Sequence, residues 1–200
     1  MPRPRTVDDE VLLAAALDLI GRVGPARLTL ARVAEEVGLS PATLVQRFGS
    51  KRGLMLAAAR RGTDWAGRFA AARAAAPTRV DALVEALVEA TARVRTPETM
   101  SNSIAFLQLD LADDEFHAEA LAGARAMRDE IESLLREAVR AGELAGADPA
   151  ALADTVATAY NGALITWAIH REGEIGAWLR ARVEAVLAPY ATRRPVSATE

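Results

Sequence analysis

The sequence contains no cysteine. That excludes disulfide bridges, thiol catalysis and cysteine-ligated zinc, and it fits a reducing compartment. Aromatic residues are scarce, 4% of 200 residues against 51% hydrophobic overall, and the chain is Ala-rich throughout. Such a composition favours closely packed helices over sheet. Long hydrophobic runs are missing as well. Segments such as 11–17 and 163–169 are too short to cross a bilayer. Acidic rather than basic residues precede the first of them, so it is not a signal peptide. The expectation is a cytoplasmic protein with no membrane partner. No stretch has the alternating, β-branched pattern of a strand, nothing repeats at a solenoid period, and no low-complexity linker divides the chain. There is no Gly-rich phosphate loop, no Ser-His-Asp ordering and no lysine nucleophile, the only lysine being Lys51. The sequence therefore implies no catalytic residue, no cofactor and no enzyme.

What is present is concentrated in residues 28–51, LTLARVAEEVGLSPATLVQRFGSK. They read as two short helices joined by a tight turn, with a third starting at the end. Thr29 can cap the first helix, and Leu30, Val33, Ala34 and Val37 stripe one of its faces. Gly38 stands where a helix ends in a left-handed residue, and Leu39 plugs the turn. Ser40 is an N-cap, and Pro41 takes the first helical position, where its missing N–H is no loss. Leu44 and Phe48, four apart, anchor the second helix inward. Pro41, Ala42, Thr43, Val45, Gln46 and Arg47 are left facing out. Gly49 ends that helix, Ser50 caps the next, and Lys51 with Arg52 puts positive charge beside it. A short helix with a buried back and a small, hydrogen-bonding front suits the DNA major groove. Net charge is −3 overall, but residues 1–52 hold eight basic against six acidic residues and the rest sixteen against twenty-one. Positive charge thus gathers where the reading helix lies.

At this point the chain resembles the TetR family, the tetracycline-repressor-type transcriptional regulators. The resemblance rests on Thr29–Leu30, Val33–Ala34, Val37–Gly38, Ser40, Thr43–Leu44, Phe48, Ser50–Lys51 and Leu54, in the family's order and spacing. The family usually has an aromatic residue, most often Tyr, where this chain has Val45, and commonly His where it has Arg47. The resemblance implies a homodimer on a double-stranded DNA operator, released by a small-molecule effector. It also implies dimerisation through the last two long helices. Residue chemistry then distributes the roles. Ala42 and Thr43 suit thymine methyls and nearby polar edges, Gln46 pairs bidentately with adenine, and Arg47 pairs with guanine or a phosphate. Thr29, Ser40 and Lys51, with its helix N-terminus, position phosphates.

The fold class expected is all-α. A three-helix helix-turn-helix domain occupies 1–52, and a larger helical effector-binding and dimerisation domain occupies 53–200. Residues 1–5, MPRPR, are either a solvated terminus or an arm whose Arg3 and Arg5 reach phosphates or a minor groove. Thr6 opens the first helix with Asp9 at capping-box spacing, and Gly24–Pro25 stops it. Further helices are expected at about 51–75, 78–94, 98–111, 114–142, 150–171 and 175–190, with Pro77, Pro97 and Pro149 near starts and Pro189 near an end. Helix 51–75 would be shared by both domains, so its tilt would carry the reading helix with it. The charges of 125–143 alternate in sign and read as an exposed face.

Trp65, Phe69, Met100, Asn102, Ile104, Phe106, Gln108, Phe116, His117 and Met127 are candidate lining for an effector cavity, singly better read as core. For dimerisation the candidates are Val156, Tyr160, Ala163 and Trp167 on one helix and Trp178 and Val186 on the next. They lie on broad apolar faces that pack either within the domain or against a second subunit. Asp113, Asp114 and His117 have a spacing that could flank a metal, although acids at a helix start more often offset the macrodipole, and no metal is expected. His170 reads as a solvated helix end. The alternatives are a helical small-molecule-binding protein or enzyme with degenerate DNA binding, and a DNA-binding dimer without an effector.

Overall fold

Ten α-helices and one 3-10 turn account for nearly all of the computed structural model, which describes residues 7–62 and 64–192. No strand occurs among these residues; a lone antiparallel bridge joins Leu144 to Ala191. In chain order the helices are α1 (Asp9–Val23), α2 (Leu30–Val37), α3 (Pro41–Phe48), α4 (Lys51–Gly62), α5 (Trp65–Ala75), α6 (Arg79–Glu89), α7 (Pro97–Ala112), α8 (Asp114–Arg140), α9 (Pro149–His170) and α10 (Ile175–Leu187), followed by the 3-10 turn Ala188–Tyr190. They form two compact units. One joins the N-terminal residues through Asp64 with Arg93–Arg125, and the other joins Trp65–Ala92 with the chain from Ala126 onward.

The first unit is built on α1. Its cap is Asp8, whose carboxylate accepts from the amide of Glu10 at 3.3 Å. The start expected at Thr6 is corrected by two residues, and Thr6 itself, like Arg3 and Arg5, lies outside the described residues. Leu12, Ala16, Leu19 and Ile20 point from α1 into a core shared with Leu28, Val33, Leu44, Leu54 and Phe116. α7 is fastened to α1 by polar contacts as well: Asn102 donates to the carbonyl of Gly21 at 2.8 Å. Arg93, just before α7, pairs with Asp18 at 2.8 Å.

The single helix expected over 51–75 is two helices, broken between Gly62 and Trp65. Gly62, Thr63 and Asp64 are three weak helix formers in a row, and the amide of Asp64 turns back to the carbonyl of Arg61. The continuous lever inferred from the sequence is therefore not formed. α6 likewise ends at Glu89 rather than near 94. There the Thr91 hydroxyl donates to the Val88 carbonyl at 2.7 Å, offering the backbone an alternative to the helix. The prolines behave as read: Pro97 and Pro149 open α7 and α9, Pro77 precedes the Thr78 cap, and Pro189 sits in the 3-10 turn.

The second unit packs Phe69, Leu83, Leu87, Ile131, Leu134, Leu135 and Leu179 at its centre. On α8 the alternating charges are not simply solvated. Glu132 is buried and accepts from Arg128 at 2.6 Å and from Arg136, while Arg73 reaches Glu130 at 2.8 Å and Glu137 at 3.3 Å. A buried carboxylate needs such partners, since leaving one unpaired costs several kcal/mol, roughly 3–5.

Gly53 marks the tightest joint. A Cβ there would lie 2.1 Å from the carbonyl oxygen of Phe48, the last residue of α3. Gly53→Ala should thus destabilise the protein by about 1–3 kcal/mol in denaturant titration. Gly21→Ala, in the last turn of α1 with nothing within 4 Å of the new methyl, should stabilise it by about 0.5–1 kcal/mol.

Candidate nucleic-acid interface

Two caps and one glycine shape the reading element. Thr29 accepts from the amide of Arg32 at 3.2 Å and starts α2. Gly38 ends it at φ 69°, ψ 32°, a left-handed conformation that costs glycine nothing, and the Leu39 amide closes the turn onto the Ala34 carbonyl at 2.9 Å. Ser40 then accepts from the Thr43 amide at 3.2 Å, and its hydroxyl bonds the Thr43 hydroxyl at 2.9 Å. Leu44 is fully buried beneath α3. Ala42 and Gln46 are exposed, Val45 is 49% exposed, and Thr43 is half-buried. These side chains form one continuous outer face, as the spacing predicts.

Arg47 is the exception. Rather than facing out, its guanidinium donates to the Val7 carbonyl at 2.6 Å and to Asp9 at 3.0 Å, and its side chain is only 24% exposed. Position 47 lies at the end of α3 beside the start of α1, and the nearby carbonyl and carboxylate capture the charge. Lys51 also turns inward in part, donating to the Ala26 carbonyl at 3.0 Å.

Arg52 has a role that no local pattern signals. Its guanidinium grips Asp113 through two bonds of 2.7 and 2.8 Å, reaches Glu115, and lies 5.5 Å from the centre of the Phe116 ring. Partners some sixty positions apart have no local signature. The Arg52 guanidinium beside it holds the Asp113 carboxyl below the usual carboxylate range, helped by the amides of Phe116 and Glu115 at the start of α8. Asp113 thus serves a helix start and an arginine. Among the described residues no group of three His, Cys, Asp or Glu side chains is placed to hold a metal.

The candidate cavity residues fall into both units. Met100 and Phe116 are buried in the first, with Phe106 edge-on to Phe116 at 5.8 Å. Ile104, Gln108 and His117 are exposed there. Gln108 and Phe116 line a cleft of about 680 Å³ together with Lys51, Arg52, Met55 and Leu109. Asn102 is spent on α1. In the second unit Phe69 is fully buried core and Trp65 lies between it and Tyr160, tilted against the first at 6.2 Å and edge-on to the second at 6.0 Å, while Met127 is core. The dimerisation candidates are placed as follows. Val156, Tyr160, Ala163 and Trp167 are all buried in their own unit, and Trp178 and Val186 pack against that core. His170 is exposed at the end of α9, its ring tilted over Trp178 at 5.3 Å.

Asp110 on α7 is half-buried without a cation to pair with among the described residues, and burial pushes its carboxyl up to about 6. Between the unfolded value near 4 and about 6, the folded state binds the extra proton, so stability falls as pH rises through that window. Asp110→Asn should therefore raise the unfolding temperature at pH 7, with the gain vanishing near pH 4.

Residues 12–58 match the description "bacterial regulatory proteins, tetR family". A search of curated protein sequences finds no match. Among solved structures, a TetR-family transcriptional regulator from Rhodococcus sp. is 23% identical with a TM-score of 0.67, over 89% of this chain and 97% of that one. A TetR transcription regulator from Haloarcula marismortui is 15% identical with a TM-score of 0.74, over 92% and 97%. A transcriptional regulator from Saccharomonospora viridis in complex with choline is 20% identical with a TM-score of 0.72, over 94% and 100%. Over residues 12–58 the chain thus matches the model of the tetR family of bacterial regulatory proteins, and the chain as a whole has the fold seen in solved TetR-type transcriptional regulators.

Proposed function

We infer that this protein is a ligand-responsive repressor that binds a pseudo-palindromic operator as a homodimer in the cytoplasm. The observation that carries the reading is α3 itself: a helix with Leu44 buried beneath it and Ala42, Val45 and Gln46 exposed, entered through two capped turns. In this reading Gln46 pairs with a base edge, Ala42, Thr43 and Val45 supply methyl contacts, and Thr29, Ser40 and Lys51 meet phosphates. Arg47 orients the helix from behind, because its charge is committed to Val7 and Asp9. DNA binding stays with residues 1–52, and effector binding and dimerisation with 53–200.

One short helix specifies few base pairs, and two on a two-fold axis specify a palindrome. The dimer face we assign is the outward side of α9 and α10. Thr158, Gly162, Ile165 and Ile169 share one stripe of α9, and Ala177, Ala181 and Ala185 are exposed on α10. Ile169 is 72% exposed, an unusual place for isoleucine unless a partner covers it. A bound effector releases DNA only by preferring the arrangement in which the two reading helices no longer match the operator. The choline complex of the Saccharomonospora protein supports a small molecule as effector class and leaves its identity open.

Gel shifts and fluorescence titrations against the DNA flanking its own gene test the reading. Gln46→Ala should cost about 1–3 kcal/mol on the operator and relax one position of each half-site. Lys51→Ala should weaken operator and random DNA alike and lower the salt slope by about one. Arg47→Ala should also weaken both without changing base preference. Ile165→Glu with Ile169→Glu should leave the fold intact and yield monomers in sedimentation velocity.

A further inference from the structure

The cleft on the first unit holds a charge that the fold leaves uncompensated. Its bed is apolar, formed by Met55, Leu109 and Phe116, and its volume of about 680 Å³ is that of a small-molecule site. Two cations stand at its wall. Arg52 is paired with Asp113, which also lines the cleft, and with the solvent-exposed Glu115, which does not. Lys51 is not: its ammonium donates to the Ala26 carbonyl and is paired with no carboxylate among the described residues. The amides at the start of α8 are already taken by Asp113. The charged residues of the lining, Lys51, Arg52 and Asp113, thus leave one net positive charge over an apolar floor, and the exposed Gln108 lines the same cleft.

We propose that this cleft binds a small amphipathic monoanion, an aromatic or short-chain carboxylate, with its carboxylate on Lys51 and Gln108 and its apolar body on Met55, Leu109 and Phe116. One uncompensated cation sets the ligand's charge, because a dianion would leave a charge unpaired against apolar walls and a cation would meet Lys51 head-on. The ligand takes the ammonium that the DNA reading assigns to a phosphate, so ligand and DNA weaken one another to the same degree. That consequence rests on the proposed function; the binding site does not.

The methionines provide the test. Met55 lines the cleft and Met127 lies in the core of the second unit, so isotope-labelled methionine methyl groups report on each separately by NMR. Phenylbutyrate should shift the Met55 signal saturably and leave Met127 in place. Phenylbutyramide, equal in shape but uncharged, should bind at least about tenfold more weakly. Lys51→Gln should bring phenylbutyrate down to the amide's affinity, and Gln108→Leu should weaken it severalfold. An unmoved Met55 signal, equal affinity for the two probes, or full phenylbutyrate affinity in Lys51→Gln overturns the site. In a parallel gel shift, phenylbutyrate should weaken operator binding by the wild type. If Met55 responds and DNA binding does not change, the competition is overturned while the site stands. If the wild type binds no duplex at all, the proposed function falls and the methyl shifts alone decide the site.

Discussion

Burial of Leu44 is the constraint on which the reading helix depends. α3 is eight residues long, well short of the roughly 12–15 at which a helix becomes even marginally stable on its own. Its shape must be imposed from outside. Leu44 inserts into a core that also contains Leu28, Val33 and Leu54. Ser40 and Gly49 fix the two ends, and Gly53 allows the next helix to approach the last carbonyl of α3 at a distance no side chain would tolerate. Arg47 and Lys51 add ties to the start of α1 and to the loop after it. The outer face can vary in chemistry without affecting the fold because the inner face bears all of this.

Within the first unit, α3 is followed at once by α4, whose first residues are bound to the junction of α7 and α8. Arg52 closes on Asp113 and Glu115, and Phe116 enters the same core as Leu44. No continuous helix runs along 51–75, since the chain breaks after Gly62, and α4 is tied at its beginning to the start of α8 by short packed and charged contacts within the first unit.

The sequence made the helix-turn-helix legible almost residue by residue, because caps, glycine turns and apolar spacing act locally. Thr29, Gly38, Ser40, Pro41 and Gly49 all stand in the roles their chemistry predicts. What escaped was everything decided by distant partners. Arg47 reads as an outward cation until Val7 and Asp9 are placed beside it, and Arg52 has no meaning until Asp113 arrives from far along the chain. The dimerisation candidates are read differently for another reason. Large apolar residues at helical spacing mark what is hidden from water, and on α9 the hiding is done by the same chain. The surface left over is the small-residue side, whose weak hydrophobic signal the periodicity of Trp and Tyr concealed. The 51–75 break was written in Gly62, Thr63 and Asp64, but apolar residues on both sides masked it.

A chain with a single lysine among 24 basic residues carries positive charge that is almost wholly guanidinium, and so does not titrate in any ordinary buffer. Its chemistry toward acylating reagents is correspondingly narrow. Apart from the chain terminus, one ε-amine can be acetylated, and it stands at the first residue of α4, directly after the reading helix. An enzyme or metabolite that acylates amines would erase that one charge and leave every other cation on the surface untouched.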